Sequence, residues 1–338
     1  MLKGGLELKG GSVTEIKKAL DAFSDSSLSL LPTPVQELPA LSDILGCKVY
    51  CKRDDLTGFG FGGNKSRKLD FLLPYAQGLG ADTLIAVGAN QSNFCRMTAA
   101  FGSVWNMEVH LVLGGGKPTR PTGNLLVDHI LGAHVHHVES MDWDEWNEAA
   151  QEIQGSLEAR GRNVFRMPVG GSTCVGALGY VKALLELMED EKRFGIRFSR
   201  IIHASSSAGT QAGLTAAKIL AGWPGEIIGM SVAKPKDTLT AEVRKLAADT
   251  MAFMGLGRGV EEDVVSVDDS YIGDCYAART SECDEAVKLF ARKCGLFLDR
   301  VYTGKAAAGL LDYGARKRFS SDENICFLHT GGNLEIFE

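Results

Sequence analysis

"DTLIAVGANQSNFCRMTAAFGSVWN", residues 82–106, sets an apolar run, a polar turn and a helical pattern in immediate succession. The run "DTLIAVG" (82–88) is apolar without alternation, as a strand covered on both faces reads. "NFCRMTAAFGSVWN" then carries helical spacing. The unit recurs along the chain. "VHLVL" (109–113) precedes "TGNLLVDHILG", and "HVHHV" (134–138) precedes "DWDEWNEAAQEIQGSLEARG". "SRIIHAS" (199–205) precedes "TQAGLTAAKILAG", and "EIIGMSV" (226–232) precedes "DTLTAEVRKLAADTMAFMG". Strands alternating with amphipathic helices predict an α/β fold with mostly parallel sheets. There is no internal repeat and no low-complexity segment. The glycine-rich "RMPVGGSTCVGALG" (166–179) is the expected crossing between two domains.

Composition narrows the function. The 338 residues are 45% hydrophobic and 23% charged, with a net charge of -6, so no polyanion-binding surface is indicated and no nucleic-acid partner is expected. The opening "MLKGGLELKGGSVTEIKK" lacks the apolar core of a signal peptide, and no run reaches the roughly 18 apolar residues of a membrane span. The expectation is a soluble, cytoplasmic chain without a membrane partner. Its eight cysteines are scattered without a C-x-x-C pair and read as reduced thiols. Cys47 precedes and Cys51 ends the strand-like "KVYC" with no histidine near, which argues against a metal site there. His134 and His136 share one strand face, a pattern of metal ligands but more commonly of a polar strand end.

Three stretches carry chemistry. In "GFGFGGNKSRKL" (58–69), Gly58, Gly60 and Gly63 satisfy G-x-G-x-x-G, and Lys65 and Ser66 follow almost as in a phosphate-binding P-loop. A P-loop needs glycine directly before its lysine, and Asn64 stands there. A dinucleotide turn needs an apolar strand leading in and an acid ending the next strand. Here the charged "CKRDDLT" leads in and "VGANQSN" ends without an acid, so a nicotinamide-dependent oxidoreductase is not supported. What remains is a glycine loop presenting Lys65 at a helix start beside Arg67 and Lys68. That setting favours the neutral amine that Schiff-base chemistry requires. A surface cation opening an amphipathic helix reads the same way. In "GANQSN" (88–93), four polar residues exceed what a helix cap needs and suit a carboxylate at the helix N-terminus. In "HASSSAGTQAGL" (203–214), small hydroxyl-rich residues at a strand-to-helix turn suit a phosphate.

Together these stretches resemble the pyridoxal-phosphate-dependent D-cysteine desulfhydrases and 1-aminocyclopropane-1-carboxylate deaminases, of the tryptophan-synthase-β-like fold type II. "LPTPVQELPALSDILG" (31–46), "KRDDLTGFGFGGNKSRKLDFLL" (52–73), "GANQSN", "GGSTCVGALGYV" (170–181), "SSSAGTQAGL" (205–214), "GLFLDRVYTGKAAAGL" (295–310) and "FLHTGG" (327–332) follow in family order along nearly the whole chain. The resemblance implies two three-layer α/β/α domains: a larger cofactor-binding one from 1–65 and 170–338, and a smaller substrate-side one from 66–169. It implies that Lys65 carries pyridoxal 5'-phosphate as a Schiff base and later abstracts the Cα proton. Asn93 would contact the ring hydroxyl, Ser205, Ser206, Ser207, Ala208, Gly209 and Thr210 the phosphate, and Thr330 the pyridine nitrogen. Ser92, with Gln91, Asn64 and Asn93 near, would receive the substrate carboxylate, and Ser92 would share in proton transfer. Tyr276 and Tyr302 would face the substrate side chain or leaving group. A homodimer is implied as well.

The resemblance further implies β-elimination, with D-cysteine giving pyruvate, ammonia and hydrogen sulfide. The cyclopropane-opening deaminases carry Glu where this chain has Thr303 and an apolar residue in place of Thr330, and both differences favour the desulfhydrase reaction. Deamination of 1-aminocyclopropane-1-carboxylate and sulfite elimination from cysteate are the alternatives, and a cofactor-binding protein without turnover is a further one. The chain also departs from the family. Ser206 and Ala208 stand where glycines are usual, Cys275 and Ala277 flank Tyr276, and Phe94 and Cys95 follow Asn93. Pro74 predicts a kink or early end to the helix after Lys65.

Overall fold

A computed structural model describes residues 12–338; the opening stretch read above for a signal peptide lies largely outside them, at residues 1–11. Ten strands run in chain order as β1 (Val35–Glu37), β2 (Lys48–Lys52), β3 (Thr83–Ala89), β4 (Glu108–Gly114), β5 (His134–Val138), β6 (Val164–Met167), β7 (Arg200–Ser205), β8 (Glu226–Ser231), β9 (Ser266–Asp268) and β10 (Asn324–Leu328). They form a six-stranded sheet of order β1-β2-β10-β7-β8-β9 and a four-stranded sheet of order β5-β4-β3-β6. Every pairing is parallel except β1 with β2. The central strands are buried along nearly their whole length, because helices cover both faces. The α/β fold read from the alternating pattern is the one observed. Residues 66–169 hold all four strands of the smaller sheet. The expected boundary at 65/66 falls inside the helix Asn64–Gly78, and that at 169/170 inside the short turn Val169–Gly171.

Pro74 does not break its helix, which runs unbroken from Asn64 to Gly78. A proline leaves the carbonyl four residues back without its donor. Here that carbonyl belongs to Asp70 and accepts from Ser26 N at 2.7 Å instead. The Asp70 side chain holds the same segment, accepting from Ser26 Oγ at 2.5 Å and Leu28 N at 3.2 Å. A tertiary partner therefore replaces the missing helical bond. Among the described residues no helix is long and apolar enough to cross a membrane, and all eight cysteines are free thiols.

Candidate active site

Three loops leave the carboxyl ends of parallel strands and meet at one cavity, the place where α/β sheets offer their helix N-termini. From β3, Ser92 caps the helix Asn93–Val104, accepting from Cys95 N at 3.2 Å. Ser92 also lines the cavity. Ser92 fits because a Cβ on Gly88 would lie 2.4 Å from its Oγ. From β7, Ser205–Ala208 turn into the helix Gly209–Ala221. From β10, His329 and Thr330 lead to Gly331, where a Cβ would lie 2.6 Å from Gly63 Cα. The two glycine loops thus cross backbone on backbone, and Asn64 N donates to Thr330 O at 2.9 Å.

Lys65 stands in the first turn of its helix, in the wall of this cavity with Ser92, Asn93, Thr330 and both tyrosines. Burial pulls its amine down from 10.5 to about 8. Arg67 does not contribute as the sequence suggested: it turns away, and its NH2 lies 2.8 Å from Asp54 Oδ1 and its NH1 3.0 Å from Glu186 Oε2. Lys68 is buried and pushed far down by desolvation and then by Lys65, and donates to Gly170 O at 2.9 Å. Among the described residues none hydrogen-bonds the Lys65 Nζ.

The hydroxyl-rich turn is braced from outside. Ser172 Oγ donates to Ser207 Oγ at 2.9 Å, and Asn64 Nδ2 donates to Thr210 Oγ1 at 3.0 Å. Ser205 Oγ is buried and has no partner among the described residues. Asn93 Oδ1 accepts from Asn124 Nδ2 at 3.1 Å. Gln91 does not line the cavity: its Oε1 accepts from Asn124 N at 2.8 Å and its Nε2 donates to Thr122 O at 3.2 Å. In the wall of the same cavity, the hydroxyls of Tyr276 and Tyr302 hydrogen-bond each other. Burial raises both, Tyr276 to about 12, so each keeps its proton near neutral pH. Buried Asp299 sets Tyr302 in place by accepting from its backbone N at 2.6 Å.

Several lining or bracing residues carry no local signal in the sequence. Trp143 and Trp146 reach the cavity from a helix over the smaller sheet, and Trp146 is admitted because a Cβ on Gly114 would lie 1.9 Å from its ring. Gly170 brings another chain segment between Ser207 and Lys65, since a Cβ there would lie 2.3 Å from Ser207 Oγ and 3.6 Å from Lys65 Nζ.

Comparison with known proteins decides the family. The family described as "Pyridoxal-phosphate dependent enzyme" matches residues 27–331. The chain belongs to it. Within these pyridoxal-phosphate-dependent enzymes it is 39% identical over 318 residues to a putative 1-aminocyclopropane-1-carboxylate deaminase of Pyrococcus furiosus, covering 94% of each chain. It is 38% identical over 330 residues to the D-cysteine desulfhydrase of Serratia proteamaculans, covering 95% of this chain and 98% of that one. Among solved structures, an ACC deaminase homologue superposes with a TM-score of 0.89 at 33% identity over 96% of both chains. A threonine deaminase, with a TM-score of 0.68 at 18% identity, shares the fold. The chain is a fold-type-II enzyme of the deaminase and desulfhydrase family, and pyridoxal phosphate is its cofactor. The cavity fits that group. It offers an amine that is neutral above about pH 8, a strand-to-helix turn of hydroxyls and the unpartnered Ser205 Oγ.

Proposed function

We propose that the protein eliminates the β-substituent of D-cysteine, yielding hydrogen sulfide, pyruvate and ammonia. The observation that carries this reading is Thr303. It is fully buried, and its hydroxyl donates to Asp299 Oδ1 at 2.6 Å. The deaminases that the sequence resembles carry a glutamate there, whose carboxylate would face that of Asp299 in this chain. Thr330, a hydroxyl in the cavity wall where those deaminases are apolar, supports the same choice.

When bound, pyridoxal phosphate supplies an aldehyde for condensation with amines and a conjugated ring that draws electrons from the substrate Cα. Lys65 Nζ would be the amine that holds it and the base that takes the Cα proton. The turn Ser205–Thr210 would hold the phosphate, and Asn93 and Thr330 would hold the ring on its hydroxyl and nitrogen sides. Ser92 O–H binds the substrate carboxylate, with Asn64 beside it and Gln91 acting from behind through Asn124. The Tyr276–Tyr302 pair, kept protonated by burial, delivers a proton to the departing sulfur. The two-domain division, 1–65 with 170–338 and 66–169, belongs to the same reading. The family resemblance supports a homodimer working in the cytoplasm.

The test is to add D-cysteine to the holoenzyme while recording the cofactor's visible absorbance, pyruvate and sulfide. Pyruvate and sulfide should appear in equal amounts, and Lys65→Ala should lose both the absorbance shift and the products. Turnover of 1-aminocyclopropane-1-carboxylate or cysteate with D-cysteine untouched would replace the proposal with deaminase or sulfo-lyase chemistry.

A further inference from the structure

We propose that Glu108, His110 and His134 form a binding site for a divalent transition-metal ion of the zinc class, separate from the cofactor cavity. Parallel pairing sets His110 on β4 opposite His134 on the edge strand β5, with Val112 opposite His136. The period of two in a strand then places Glu108, His110, His134 and His136 on one face of the sheet. Glu108 Oε1 lies 3.0 Å from His110 Nε2 and 3.5 Å from His134 Nε2, and one ligand atom from each of the three residues lies within 4.8 Å of the others. Tetrahedral zinc with bonds of about 2.0–2.1 Å sets neighbouring ligand atoms about 3.3–3.4 Å apart. The two Glu108 separations bracket that spacing.

The surroundings orient these ligands as metal sites require. Arg162 NH2 holds the other carboxylate oxygen, Glu108 Oε2, at 2.8 Å, which leaves Oε1 turned to the imidazoles. The far ring nitrogen of His110, Nδ1, is hydrogen-bonded to His136 Nε2 at 2.9 Å. The His110 and His134 rings stack 4.7 Å apart at 21°, so one must turn for both lone pairs to converge. His134, 57% exposed, has the room to turn. Two imidazoles and one carboxylate select zinc or its neighbours over calcium and magnesium. Glu108 and His134 begin their strands, whereas the cofactor cavity lies at the strands' carboxyl ends, roughly 20 Å along a seven-residue strand. A bound ion would clip the edge strand β5 to β4 without touching the reaction.

The experiment uses holoenzyme dialysed against a chelator, then titrated with zinc chloride by calorimetry and thermal melting. One zinc per chain and a raised melting midpoint are expected. Binding should weaken at least tenfold in His134→Ala and in Glu108→Gln, with cofactor absorbance unchanged in both. Cobalt chloride excludes the free cysteines as the source, since nitrogen and oxygen ligands give weak visible bands without strong thiolate charge transfer. Absence of zinc binding, full binding in either variant, or a thiolate band would overturn the site.

Discussion

Lys65 carries a pH dependence with a definite sign. An exposed lysine titrates near 10.5, but burial brings this one to about 8. The protonated fraction, which cannot attack an aldehyde, therefore dominates below that value and vanishes above it. The rate at which cofactor-free enzyme takes up pyridoxal phosphate should climb as pH rises through about 8 and then level off. Stopped-flow absorbance over a pH series checks this. A rate still climbing towards the lysine's ordinary value would show that the cavity does not desolvate the amine. Arg67 shows why a run of cations in sequence is a poor guide to local charge, because its own charge is spent on Asp54 and Glu186.

At the scale of elements, the phosphate turn carries its own strain. Ala208 adopts φ 65 and ψ -35, and Gly209 N donates back to Ser207 O at 2.8 Å, which is a γ-turn of positive φ. A side chain pays for that conformation with roughly 1–3 kcal/mol. Ala208→Gly should therefore raise stability by about 1 kcal/mol, read as a melting point a few degrees higher. An unchanged or lower midpoint would place the strain elsewhere. The sequence already marked this position, because alanine stands there in place of the glycine usual in the resembling family, and Ala277 likewise adopts a φ of 63. Strands β3, β4, β7 and β8 were equally legible, since burial on both faces writes itself as an unbroken apolar run. The short strand β9 and the braces Asn124 and Ser172 were not, because each is defined by a partner far along the chain. Pro74 shows the same limit, since the bond that rescues its helix comes from Ser26.

Across the whole molecule, a buried ionic network locks the lysine-bearing helix to the larger sheet. Asp54 is fully buried and accepts from Arg67 Nε at 2.9 Å, Tyr180 Oη at 2.6 Å and Thr33 Oγ1 at 2.8 Å. Arg67 also bridges to Glu186, which lies 2.5 Å from Lys52 Nζ, and Lys52 reaches Asp190 at 2.8 Å. The chain segments around residues 33, 52–54, 67 and 180–190 are thereby held in one frame. Burial raises the Asp54 and Glu186 carboxyls, but the Arg67 charge and its hydrogen bonds outweigh this and leave both below their usual range. Depressed carboxyls contribute stability that is present above their ordinary values and is lost as pH falls through the lowered ones. Arg67→Met should remove this contribution and leave Asp54 without its ion-pair partner while Glu186 keeps Lys52, costing about 3–5 kcal/mol near neutral pH. Its unfolding free energy should also fall less steeply than the parent's below about pH 4, because carboxyls no longer held down have little left to lose on protonation. Urea unfolding at a series of pH values measures both effects. A variant as stable as the parent, or equally sensitive to acid, would mean that packing rather than charge holds the lysine helix in place.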